Sequence, residues 1–143
     1  MIAAMDAPDE VLGALAEFDR RFAAGRPDAL AALFSPDARL LLLHREAIEG
    51  RPAIREHWAR VFAAWDPGAW QAERLIVDVH GDRAYAVSTY SETLVDRAGR
   101  RSQAIRGRLV LFLRRQTGGD WSVDVALNSH SRPIEWAEPA ADE

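Results

Sequence analysis

The sequence contains neither cysteine nor lysine. Without cysteine there is no disulfide framework, thiolate nucleophile or cysteine zinc site. Without lysine there is no Schiff-base chemistry and no Walker-type phosphate loop. No apolar run approaches the ~20 residues that span a bilayer. The acidic start, Met1 to Glu10, lacks the basic and then long apolar pattern of a secretory leader. A formal net charge of −4 gives no basic footprint for generic nucleic-acid binding. The expectation is a cytoplasmic domain with no nucleic-acid partner, no membrane partner, no cofactor and no metal. With 143 residues, 48% of them apolar, the chain suits one domain burying roughly 68–70% of its unfolded surface.

The first half has helical period. Val11, Leu15, Phe18 and Phe22 recur at i, i+4, i+7 and i+11, with Asp6 as cap, Pro8 in the first turn, and Gly25 and Pro27 as stop. Pro27 opens a short second helix to Phe34, and Ser35-Pro36-Asp37 reads as a turn. Arg39 to His44 reads as a short strand buried on both faces. Gly50 and Pro52 start a third helix with Ile54, Trp58, Val61 and Trp65 as its stripe, ended by Asp66-Pro67-Gly68.

The second half alternates. Leu75, Val77 and Val79 lead to the turn at Gly81-Asp82. Strands follow at Arg83–Val95, Arg101–Arg115 and Trp121–His130, separated by turns around Gly99 and Gly118-Gly119-Asp120. Trp121, Val123, Val125 and Leu127 are expected on one face. The expected fold is α+β, a curved antiparallel sheet wrapped around three N-terminal helices with a central pocket. It spans residues 1–133, with an acidic tail at 134–143.

Three stretches, Ala24-Gly25-Arg26-Pro27-Asp28-Ala29-Leu30-Ala31-Ala32-Leu33-Phe34, Pro36-Asp37-Ala38 and Gly50-Arg51-Pro52-Ala53-Ile54, resemble the N-terminal signature of nuclear-transport-factor-2-like proteins. Gly81-Asp82-Arg83-Ala84 and Gly119-Asp120-Trp121-Ser122-Val123 resemble its second half, so the likeness covers about residues 8–133. That superfamily includes SnoaL-like polyketide cyclases, ketosteroid isomerases, limonene-type epoxide hydrolases and a kinase association domain. The resemblance implies a cystatin-like cone with a pocket for a small molecule, but not one chemistry. The general-base aspartate of the isomerases falls at Leu42 and their oxyanion-donating tyrosine at Phe18, so both positions become apolar wall. The last-strand aspartate of the epoxide hydrolases falls at Leu127, and Arg83 to Val95 has no internal arginine. Neither mechanism is expected.

His57 falls where isomerase relatives place a cavity-lining aromatic residue. An imidazole in an apolar pocket suits a general base, and its competing role is a core-edge histidine bonded to backbone. His44 shares the parity of Leu40 and Leu42 and is a candidate partner, or else the solvated end of its strand. Tyr85 is a candidate oxyanion donor, or an amphipathic wall. Thr89, Val125, Leu127 and Ser129 are expected to line the pocket, and Trp58 to serve as wall or core. Arg106 and Arg108 share one strand face and fit an anionic group, or else a solvated hairpin. The expected function is a cofactor-free enzyme of proton transfer, dehydration or cyclisation on a small apolar molecule, which is anionic if Arg106 and Arg108 face inward. The alternative is a non-catalytic binding or association module. Apolar residues on both faces from Leu109 to Leu113 point to a homodimer through the outer face of the sheet.

Overall fold

A computed structural model describes residues 6–43, 45–98 and 101–131. Helix α1 (Ala7–Ala24) starts where the Asp6 side chain accepts a bond from the Asp9 amide at 3.0 Å, and stops at Gly25, whose φ of 66° closes the helix in the left-handed region. Val11, Leu15, Phe18 and Phe22 are all buried, the stripe that the periodicity predicts. Helix α2 (Pro27–Ala31) is shorter than expected. Its successor, strand β1 (Phe34–Leu42), takes up Ser35-Pro36-Asp37 as an irregular strand segment with a register shift between Phe34 and Arg39, not as a turn. Nor is β1 covered on both faces: Leu40 is buried while Arg39 is exposed and Leu42 half-buried.

After the short β2 (Ile48–Glu49), helix α3 (Arg51–Ala64) buries Ile54, His57, Trp58 and Phe62. It ends one residue before Trp65, and Asp66-Pro67-Gly68 belongs to strand β3 (Trp65–His80). The reason lies in the sheet order, β2-β1-β6-β5-β4-β3, which makes β3 an edge. An edge strand tolerates a proline, and a register shift between Pro67 and Trp70 absorbs the irregularity. Gly68 is needed there because a Cβ would lie 2.6 Å from the Thr93 carbonyl oxygen.

Strands β4 (Arg83–Asp96), β5 (Ser102–Arg115) and β6 (Trp121–His130) complete a curved, unclosed six-stranded sheet. All pairings are antiparallel except β1 with β6, which is parallel. The helices cover one face, and the α+β architecture is the one expected. The core between them is led by Val11, Leu30, Phe34 and Ile54, all fully buried. The acidic tail, at 134–143, lies outside the described residues.

Gly107 on β5 clears space for its neighbour strands. A Cβ there would sit 2.5 Å from both the Ser129 carbonyl oxygen and the Tyr90 hydroxyl. Gly107→Ala is expected to destabilise the protein by about 1–3 kcal/mol through overpacking, read by urea unfolding, with Gly118→Ala, which meets nothing within 4 Å, as the neutral control.

Candidate functional site

The helix-covered face of β4 carries Ala84, Ala86, Ser88, Tyr90, Glu92 and Leu94, and that of β5 carries Ile105, Gly107, Leu109, Leu111 and Leu113. Arg74 on β3 ties this face to α1: it donates to Ser88 Oγ at 2.9 Å, to the Leu15 carbonyl at 3.1 Å and to Asp19 at 2.5 Å. Bulkier Tyr85 and Val87 point out. This inverts the expected parity, since Tyr85, Thr89 and Ser91 all lie on the outer face. Tyr85 donates to Asp78 at 3.1 Å, and that bond raises its pKa.

On β6 the alternation breaks. A register shift opposite Phe112 and Leu113 leaves an extra residue after Val123. Trp121 and Val123 face inward, but beyond the bulge Ala126, Asn128 and His130 take the inner positions, cross-strand from Leu111, Leu109 and Gly107. Val125, Leu127 and Ser129 therefore face outward, against expectation, and Leu127 is exposed. Arg106 and Arg108 are exposed on the same outer face. His44 lies outside the described residues.

The remaining expected wall residues sit inside. Phe18 is buried 6.3 Å from Phe34, and Leu42 is half-buried against the core. Trp58 is buried in an aromatic ladder: its ring stands 5.4 Å from Phe22, which is 4.5 Å from Trp70, which stacks on Tyr90 at 4.6 Å. Trp70 arrives from β3, not from the end of α3, and its Nε1 donates to Asp19 at 3.0 Å. His57 is 5% exposed, with its ring 4.8 Å from that of Trp58. Burial first, then the charges of Arg45 and Arg60, push its pKa down to about 4, so it is neutral at pH 7.

A second polar group meets at the inner faces of β4 and β6, and sequence reasoning missed it. Tyr90 Oη donates to Asn128 Oδ1 at 2.7 Å and lies 2.9 Å from His130 Nδ1. Two residues on, Glu92 is 6% exposed, and its Oε1 has no hydrogen-bond partner among the described residues. Burial pushes its pKa up to about 7, and burial also lowers that of His130. Burial raises the Tyr90 pKa as well, with the Glu92 charge adding to it. The Trp58 indole N–H is likewise buried without a partner among the described residues. The sequence does hold one signal: Glu92 shares parity with Ala84, Ala86 and Ser88.

Chemically, Glu92 exchanges its proton near neutrality and can act as base or acid, two residues along β4 from a phenol that an amide and an imidazole hold in place. Beneath α1 and α3 the rings of Phe22, Trp58, Phe62 and Trp70 pack against one another. Cavities of 660 and 540 Å³ open elsewhere, neither lined by His57 or Glu92. Among the described residues, no group of three histidine or carboxylate side chains is arranged to hold a metal ion, and no helix is long and apolar enough to cross a membrane.

Residues 15–123 match the family model of the SnoaL-like domain. A ketosteroid isomerase-like protein from Erwinia carotovora atroseptica superposes with a TM-score of 0.83 at 19% identity, over 91% of this chain and 100% of that one. A chain from Xanthomonas campestris, whose description names a calcium/calmodulin dependent protein kinase II association domain, superposes at 0.73 with 21% identity over 94% of each chain. An NTF2-like protein with a cystatin-like fold from Novosphingobium aromaticivorans superposes at 0.66 with 17% identity, over 93% of this chain and 85% of that one. At these identities the likeness is one of fold. No curated protein matches the sequence.

Glu92 and His57 pull stability in opposite directions with pH. Glu92, raised from 4.5 to about 7, makes folding less favourable as pH rises through that window, because the unfolded chain loses its proton first. His57, lowered from 6.5 to about 4, makes folding more favourable as pH rises from about 4 to 6.5. Glu92→Gln removes only the first effect. Relative to the native protein, the variant should gain on the order of 2–3 kcal/mol between pH 4.5 and pH 8. Urea unfolding at a series of pH values measures it.

Proposed function

The chain belongs to the SnoaL-like domain family, and on that premise we propose that it binds a small, largely apolar molecule on the inner side of the sheet and moves a proton on it without a cofactor. The observation that carries this reading is the Glu92 carboxyl, buried, with one oxygen unpartnered among the described residues, and held by burial at a pKa of about 7. A structural carboxylate is expected to be paired or solvated, and a poised one suits acid-base work. In this mechanism the Glu92 carboxylate takes a proton from the carbon next to a carbonyl and returns it at the γ-carbon as the double bond moves into conjugation, or delivers it to a leaving hydroxyl. Tyr90, steadied by Asn128 and His130 and stacked on Trp70, forms the adjoining wall. The unpartnered Trp58 indole N–H favours a ligand that carries an acceptor. His57 serves as a neutral wall group beside it.

A β,γ-unsaturated cyclic ketone tests the proton-transfer step. Isomerisation to the conjugated ketone, followed by ultraviolet absorbance, should rise with pH through about 7 as Glu92 ionises. Glu92→Gln should lower the rate by about 10²–10⁴-fold while leaving ligand binding in place. Equal rates in the two proteins, across a panel of such ketones, would remove the catalytic reading.

The alternative, a binding or association module, has its own support. Ile76, Val87, Val110, Leu127 and Leu41 lie cross-strand in one unbroken row on the outer face, and Ile76 and Leu127 are exposed. Such a row fits a homodimer formed through this face. Light scattering at micromolar concentration should give twice the chain mass, and Leu127→Asp should give the single chain. The acidic, cysteine-free composition supports a cytoplasmic setting.

A further inference from the structure

Beside the apolar row, the outer face turns polar. The register sets Gln71, Ser91 and Arg106 in one cross-strand row and Glu73, Thr89 and Arg108 in the next. In both rows a short hydroxyl side chain on β4 lies between long side chains on β3 and β5. The result is a trough with a cavity of 660 Å³. One wall is cationic, the other carries an amide and a carboxylate, and the floor carries two hydroxyls.

The cationic wall is set apart from the other arginines of this strand and its flanks. Arg101 pairs with Asp96, Arg114 with Asp37 and Asp124, and Arg115 with Glu10. Arg106 and Arg108 make no ion pair among the described residues, although Glu73 stands in the same row as Arg108 with Thr89 between them. Two residues apart on one strand face, their Cα atoms are about 7 Å apart. Two guanidinium forks at that spacing can share one oxyanion, and the Thr89 and Ser91 hydroxyls lie at hand as neutral donors. The opposite wall repels a second negative charge and offers acceptors for hydroxyl groups. The space is also too large for an inorganic ion and falls in the range of small-molecule sites, roughly 300–1,000 Å³.

We propose that this trough is a second ligand site, distinct from the inner side of the sheet, which takes a phosphorylated polyhydroxy molecule with its phosphate on Arg106 and Arg108 and its hydroxyls on Gln71 and Glu73. The phosphate accepts from the guanidinium groups, and the sugar hydroxyls donate to the Glu73 carboxylate. No covalent bond is made or broken in binding.

Calorimetric titration of the full chain with ribose 5-phosphate tests this, with ribose, citrate and inorganic phosphate as comparison ligands. Saturable binding of ribose 5-phosphate is expected, weakening as salt rises. Arg106→Gln and Arg108→Gln should each weaken it by about tenfold or more. Glu73→Gln should weaken ribose 5-phosphate but strengthen inorganic phosphate, because it removes both a hydroxyl acceptor and a repelling charge. These positions are exposed, so thermal unfolding should show the variants folded. Three outcomes would overturn the proposal: no saturation by ribose 5-phosphate, saturation untouched by either arginine variant, or equal affinity for ribose 5-phosphate, citrate and inorganic phosphate.

Discussion

The carboxylate of Asp19 fastens helix to sheet. It accepts from the Trp70 indole and from Arg74, and Arg74 reaches on to the Leu15 carbonyl and to Ser88. One side chain on α1 thereby fixes two side chains on β3 and, through them, the distance to β4. With both partners largely shielded from solvent, the pair needs these extra bonds to offset the loss of hydration. The Asp19 carboxylate thereby links α1 to the face of β4 that carries Ser88, with Ala84 and Ala86 buried on the same side. It also sets Trp70 flat on Tyr90. Glu92 is two residues farther along that same face, so its burial follows from a contact that it does not itself make.

Much of this was legible in the sequence. The four-residue stripe of α1, its caps and the turns at Gly81 and Gly119 are local matters of period and backbone conformation, and local rules predict them. The α+β class follows from the change of period between the halves. What failed depended on neighbours. Proline and glycine at 67 and 68 end a helix by local rules, yet here they sit in an edge strand, and only the sheet order makes β3 an edge. Tyr85 and Thr89 are expected to face the pocket, yet Ala84, Ala86 and Ser88 take the inner side of β4. A bulge after Val123 flipped the second half of β6, carrying Val125, Leu127 and Ser129 outward and Asn128 and His130 inward. Alternation predicts which residues share a face, not which face meets the helices.

The two faces of the sheet divide the chemistry. Inside, apolar cover strips water from Glu92, His57 and His130 and moves each toward its neutral form. Outside, the same strands carry an apolar row at one end and arginines with hydroxyls at the other. Charged groups there keep their hydration, so their value lies in recognition more than in stability.

Pairing of β1 with β6 has a consequence for how the chain reaches this state. Phe34 lies across from Val123, nearly ninety positions later, so the first strand waits for the last before its ladder can close. Contacts of such long separation slow the search for the native topology, because the loop must close before any bond rewards it. During synthesis, α1 and α3 emerge with their aromatic faces unaccompanied, and the ribosome must release β6 before those faces are sealed. That interval, more than the finished molecule, is when this chain is exposed to chaperones and to aggregation.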